Sequence, residues 1–283
     1  MSGEELNIKI QNELQGRVNV RIRKTVDDQL VFIYDDHRWI LNVLFTLYKN
    51  RIHPNLIYFD AHDDAARCRT KSELLRCLGV EELPDASLKQ FSAFVDFDQR
   101  VDDGGWLSTA LELNLIGDVV NIGSRYKANI QQMNGSYVSE AGDMHNVFEL
   151  ASDLEYELGC RGALGDLQKE DEYCKLRDFF GINKYYNNKV RVKSPYVLDF
   201  DLDFFTISSD NDRLHGWTEK VLQYHFPLYS KQYNFLRDLI RGASIITICR
   251  EPDYCGSLGD SNRILEMLDS YFFEGYLGTD VTL

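Results

Sequence analysis

A chain of 283 residues, 44% hydrophobic and 27% charged, has the composition of an ordinary globular protein with one sizeable core, which excludes a disordered or membrane-embedded one. The formal net charge of -14, with no compensating run of Lys or Arg, repels phosphate backbones and anionic lipid head groups, so neither nucleic acid nor a membrane is an expected partner. A surplus of Asp and Glu suits cations instead, whether metal ions or guanidinium groups.

The N-terminal MSGEELNIKI lacks the basic start and apolar run of a secretory signal, and no stretch approaches the ~18 apolar residues of a membrane helix. A cytoplasmic location is expected. Strand patterns follow at Val18 to Ile22, Leu30 to Tyr34, Asn55 to Phe59, Asp118 to Ile122, Tyr196 to Phe200 and Ala243 to Cys249. Helical periodicity falls between and after them, at His37 to Lys49, Ser72 to Leu78, Ser87 to Val95, Trp106 to Leu115, Glu170 to Phe180, Tyr229 to Ile240 and Ser261 to Phe272. Strands alternating with helices predict an α/β fold, a three-layer α/β/α sandwich with a mainly parallel sheet. No repeat or linker divides the chain, so residues 1–283 read as a single domain. The segment from Lys127 to Asn188 is the least regular and reads as an excursion over the rim of a site.

The six cysteines, Cys68, Cys77, Cys160, Cys174, Cys249 and Cys255, form no metal-binding pair and are expected as reduced thiols. The chemistry lies elsewhere. Asn55-Leu-Ile-Tyr-Phe-Asp60-Ala-His62-Asp63-Asp64 starts as a buried strand and turns abruptly polar at the end where ligand sites form in parallel sheets. Asp60, His62 and Asp64 alternate, so in extended chain they project to one side. Tyr196-Val-Leu-Asp199-Phe-Asp201-Leu-Asp203 repeats the arrangement with three carboxylates, and Val31-Phe-Ile-Tyr-Asp35-Asp36-His37 is a third strand ending in acid and imidazole. Like charges this close cost several kcal/mol unless a cation or protons neutralise them. Carboxylates mixed with imidazole and free of thiolate suit manganese or iron, and two histidines with at least four carboxylates suffice for two ions.

These motifs resemble the ureohydrolase family of arginases and agmatinases. The family builds its metal site from a D-H pair, a D-A-H-x-D run and a D-x-D run, in that order. Here they stand as Asp36-His37, Asp60-Ala-His62-Asp63-Asp64 and Asp201-Leu-Asp203. The resemblance implies an arginase/deacetylase-like fold and two Mn2+ ions, with Fe2+ or Co2+ as alternatives, divided among His37, Asp60, His62, Asp64, Asp201 and Asp203. Asp199 stands where the family has serine. It either orients a ligand or, in the shifted register, replaces Asp203 as one. Glu251, closing Ile246-Thr-Ile-Cys249-Arg250-Glu251, matches the carboxylate that faces the guanidinium, and Asp64 carries the proton to the departing amine. Asp118-Val-Val-Asn-Ile-Gly123-Ser-Arg125 resembles a core strand of that fold.

Two departures bear on substrate. Ala66 occupies the place of the Asn that holds free arginine's carboxylate, and Asp102-Asp103-Gly104-Gly105-Trp106 replaces a Gly- and His-rich loop whose histidine assists proton transfer. Together they suggest the peptide arginase branch, which converts arginine residues of ribosomally made precursor peptides to ornithine and urea. A small-molecule ureohydrolase, a single-zinc deacetylase that does not need His37, and a non-catalytic peptide-binding module remain as alternatives. Self-association into a homo-oligomer also stays open. Trp39 and Trp106 read as core, while His53 and His215 read as loop residues; His145 and His225 have no ionisable cluster near them.

Overall fold

A computed structural model describes residues 10, 20–25, 29–67, 69–97, 103–123, 128–150, 195–208 and 214–278. Eight strands form the main sheet: β1 (Arg21–Lys24), β2 (Leu30–Tyr34), β3 (Asn55–Phe59), β4 (Val119–Ile122), β5 (Ser136–Val138), β6 (Met144–Leu150), β7 (Tyr196–Asp201) and β10 (Ile245–Cys249). Their order is β1-β2-β10-β7-β3-β4-β6-β5, and the inner six run parallel while β1 and β5 pair antiparallel at the edges. A separate ribbon joins β8 (Thr206–Ser208) to β9 (Leu214–Gly216).

The continuous apolar runs mark strands covered on both sides. In β2, Val31 and Ile33 enter one core and Leu30, Phe32 and Tyr34 the other. The second core packs against α1 (Ile40–Lys49), α2 (Lys71–Leu78), α3 (Leu88–Phe97), α4 (Trp106–Glu112) and α5 (Ala128–Met133). The first packs against α6 (Glu219–His225), α7 (Lys231–Gly242) and α8 (Leu258–Phe272). Three layers, α/β/α, follow from these two faces. Each buried Leu, Ile or Phe contributes about 1.5–3 kcal/mol of transfer free energy, which drives the layering.

After β6 the chain returns to lay β7 against the opposite side of β3, so the order reverses between those two strands. In an open parallel sheet the crevice beyond the carboxyl ends of such neighbours is the natural ligand site. Gly123 closes β4 there with φ 92°, and a Cβ would meet the Phe204 ring at 2.1 Å, so only glycine fits.

The strands and helices read from sequence within the described residues are present with ends shifted by a few residues, and α6 is an addition that no pattern marked. Three differences stand out. Residues 128–150, expected as irregular, carry α5 and the β5–β6 pair that extends the sheet. His215, expected in a loop, lies in β9. The helix expected from His37 starts as a 3-10 turn, His37–Trp39. The helix expected at Glu170 to Phe180 lies outside the described residues. Cys77, Cys249 and Cys255 are free thiols, and among the described residues no helix is long and apolar enough to cross a membrane.

Candidate metal centre

The carboxyl ends of β2, β3, β7 and β10 each deliver acid or imidazole to one buried place. Beyond β2, Asp36 accepts from the Arg38 backbone N–H at 3.2 Å and opens the 3-10 turn, while its carboxylate pairs with the Arg38 guanidinium at 2.5 Å. The turn swings His37 inward, where it is fully buried. Beyond β3, Asp60 accepts from the His62 backbone N–H at 2.6 Å, bending the chain at once. Asp63 points elsewhere and accepts from Asn129 and Ile130 backbone N–H groups at 2.8 and 3.1 Å, at the start of α5. Asp64 takes φ 46°, a left-handed conformation that returns its carboxylate to the cluster.

In β7, Asp199 and Asp201 share the face that carries Val197, toward α1–α4. Asp201 ends the strand by accepting from the Asp203 backbone N–H at 2.9 Å, so Asp203 arrives from the 3-10 turn Leu202–Phe205 rather than by strand alternation. Its Oδ1 accepts from Ala61 N–H at 3.0 Å, tying the β7 turn to the β3 loop.

His37 Nε2 lies 2.7 Å from Asp199 Oδ2, whose other oxygen accepts from Thr247 Oγ1 at 2.5 Å and Tyr34 OH at 3.2 Å. His37 Nδ1 faces carboxylate oxygens of Asp64, Asp201 and Asp60 at 2.8, 2.9 and 3.5 Å. His62 Nδ1 lies 2.7 Å from Asp203 Oδ2. Two groups result, His37, Asp60, Asp64 and Asp201, and Asp60, His62 and Asp203, the candidate ligand atoms within each lying within 4.8 Å of one another. Asp60 belongs to both. Glu251, turned by φ 34° just beyond β10, joins a third grouping with His37, Asp201 and Cys249.

The charges are unbalanced. Burial, and then Asp64 and Asp203, hold Asp60 well above the usual carboxylate range; burial and Asp203 push Asp201 up to about 8. Burial and Asp201 likewise hold Glu251 up. Burial disfavours a charged His37, yet Asp199, Asp201 and Asp64 outweigh it and raise the imidazole well above its ordinary value. Protons therefore fill this centre unless a cation does. His37 Nδ1 and Asp60 Oδ2 are buried without a hydrogen-bond partner among the described residues, although oxygens and nitrogens crowd around them. Atoms aimed at a common point but unbonded to one another suit a divalent cation, and the O/N donor set suits manganese. Burial, then Glu251 and Asp201, raise the Cys249 thiol well above its usual range, which makes it a poor ligand beside these.

The candidate ligands and the candidate substrate carboxylate meet at one place, His37, Asp60, His62, Asp64, Asp201, Asp203, Asp199 and Glu251, while Asp35, Asp36 and Asp63 of the same runs turn to other partners. Sequence patterns missed Thr247, Tyr34 and Trp106. Thr247 is the register partner of Asp199 in an otherwise apolar strand, and that polarity was its signal. Trp106 is buried as expected, but its indole N–H also donates to Asp64 Oδ2 at 2.5 Å.

No family model and no curated protein matches the sequence. Among solved structures, the chain is similar to proclavaminate amidino hydrolase from Streptomyces clavuligerus, with 13% identity and TM-score 0.47 over 87% of this chain and 63% of that one. Formimidoylglutamase from Bacillus subtilis gives 12% identity and TM-score 0.46 over 86% and 59%. Helicobacter pylori arginase gives 12% identity and TM-score 0.42 over 93% and 76%. The chain therefore spans less than two thirds of the length of the first two. Every one of these TM-scores lies below 0.5, so the α/β/α assignment stands on the strand order and the two packed faces of this chain.

Proposed function

We propose that the protein is a two-ion metallohydrolase of the arginase type that converts arginine residues within a peptide to ornithine, releasing urea. The observation that carries this reading is the sharing of Asp60 between two ligand groups, one holding His37, Asp64 and Asp201 and the other His62 and Asp203. A single-ion amide hydrolase has no use for the first group's His37. The arginase-type motif order, Asp36-His37, then Asp60 to Asp64, then Asp201 to Asp203, supports the same reading.

His37, Asp64 and Asp201 would hold one Mn2+, His62 and Asp203 the other, and Asp60 both. A bound pair of this kind supplies an activated water near neutral pH and Lewis-acid stabilisation of developing charge. The protein's own groups do the rest. Glu251 presents a buried carboxylate beside the centre, suited to a bidentate grip on guanidinium, and binding that cation offsets its burial. Asp64 is the carboxylate that takes a proton from the attacking water and returns it to the departing amine. Burial of His37, Asp60, Asp201 and Asp203 keeps bulk water out, and His62, its side chain 34% exposed, marks the open side.

The half-buried Ala66 has no polar side chain to engage a free amino acid's carboxylate, which supports arginine in peptide linkage. The test is incubation of the manganese-loaded protein with free arginine, agmatine and arginine-containing peptides, reading urea and product mass. Urea from peptides, with conversion of arginine to ornithine, is the expected result; no urea from any of the three sinks the proposal. Urea from the small molecules alone keeps the chemistry but removes the peptide assignment.

A further inference from the structure

We infer that Trp106 is a positioning residue of the metal centre, setting the Asp64 carboxylate and the His37 ring through one side chain. The inference rests on the two-ion reading above and adds a residue that lies outside the three metal-site motifs. Its indole N–H donates to Asp64 Oδ2 at 2.5 Å, the same oxygen that lies 2.8 Å from His37 Nδ1. Its ring lies against His37, centroids 4.7 Å apart at 42°, and meets Tyr58 edge-on at 5.7 Å.

Asp64 needs such support. Its backbone sits at φ 46°, costly for a residue with a Cβ, and such conformations persist where surroundings enforce them. The enforcing element is the start of α4. Leu107 N–H donates to the Asp64 carbonyl at 3.1 Å, and Ala66 N–H to the Gly104 carbonyl at 2.7 Å, so the loop is held at Asp64 and again two residues on. Trp106 adds the third tie, on the side chain. Indole N–H is a donor only, so it occupies one direction of Oδ2 and leaves the carboxylate an acceptor that would hold a cation. Any buried indole N–H needs an acceptor; core packing alone does not require that acceptor to be the Asp64 oxygen that faces His37.

Trp106→Phe separates the two. It keeps an aromatic filler and removes the donor. The expected result is a thermal midpoint within a few degrees of the parent, about tenfold weaker Mn2+ affinity at one of two sites by equilibrium dialysis, and a fall in kcat with little change in KM. Leu111→Ala, on the same helix, is the structural control: a lower midpoint with Mn2+ affinity unchanged. Parent-like Mn2+ affinity in Trp106→Phe overturns the inference, and parent protein that takes up no Mn2+ removes the reading beneath it. Should Trp106→Phe not fold, the nitrogen-15-labelled indole proton of Trp106 in the unsubstituted protein decides. It is expected downfield of those of Trp39 and Trp217 and should shift on Zn2+ addition; an unshifted signal among the others overturns the inference.

Discussion

The proton on His37 decides which of its nitrogens is available. Asp199 Oδ2 at 2.7 Å calls for Nε2–H, so with a cation in place of the second proton the Nδ1 lone pair would aim among Asp60, Asp64 and Asp201. Thr247 and Tyr34 both donate to Asp199, so the carboxylate is fixed before it fixes the imidazole. Replacing Asp199 with Asn keeps the shape and removes the charge that sustains this tautomer. The expected effect is roughly 10–100-fold weaker Mn2+ binding, read by chelator competition, with the fold intact by circular dichroism. Parent-like affinity would show Asp199 to be dispensable. In sequence, the alternation of Asp199 and Asp201 on a buried strand was legible because a strand's period is two. The left-handed turn of Asp64 was not, since its cause lies forty residues away in α4, and Trp106 in a helix pattern reads as core.

At the scale of elements, the strands buried on both faces were the legible ones. Leu30–Tyr34 and Asn55–Phe59 have the same limits in sequence and structure because their apolar runs are continuous and stop at an acid, Asp35 and Asp60. The β8–β9 ribbon, with three residues in each strand, offers no period to read, and β5 exposes most of its length. The joint between β9 and α6 carries a pH dependence. His225 ends α6 against Trp217, centroids 4.9 Å apart, and its Nε2 is buried with no hydrogen-bond partner among the described residues. Burial lowers its pKa to about 4. An unfolded histidine titrates near ~6.5, so the unfolded chain binds the extra proton first. The stabilisation is present above that value and is lost as pH falls toward the folded one. Melting at pH 7 and pH 4.5 should therefore show a smaller acid-induced loss in His225→Leu than in the parent; equal losses would assign the acid sensitivity to other groups.

For the whole molecule, the six carboxylates gathered and buried at the centre, Asp60, Asp64, Asp199, Asp201, Asp203 and Glu251, oppose compaction and belong to the excess behind the net charge of -14. A bound cation reverses that balance. With Mn2+ at about 100 times its Kd, each site adds about 2.7 kcal/mol to the folded state, and in a chain this long the pair raises Tm by roughly 10 °C. Calorimetry with manganese and again after a chelator should show that shift; identical midpoints would mean that the centre binds no ion. Strand β10 is last in the chain yet inserts between β2 and β7, and it brings Thr247 and Glu251 with it. Until β10 docks, β2 lacks its inner neighbour and Asp199 lacks the Thr247 hydroxyl. The candidate ligands from β2 and β7 and the carboxylate of Glu251 are therefore held together by one late-docking strand, so the middle of the sheet and the cluster form or fail together.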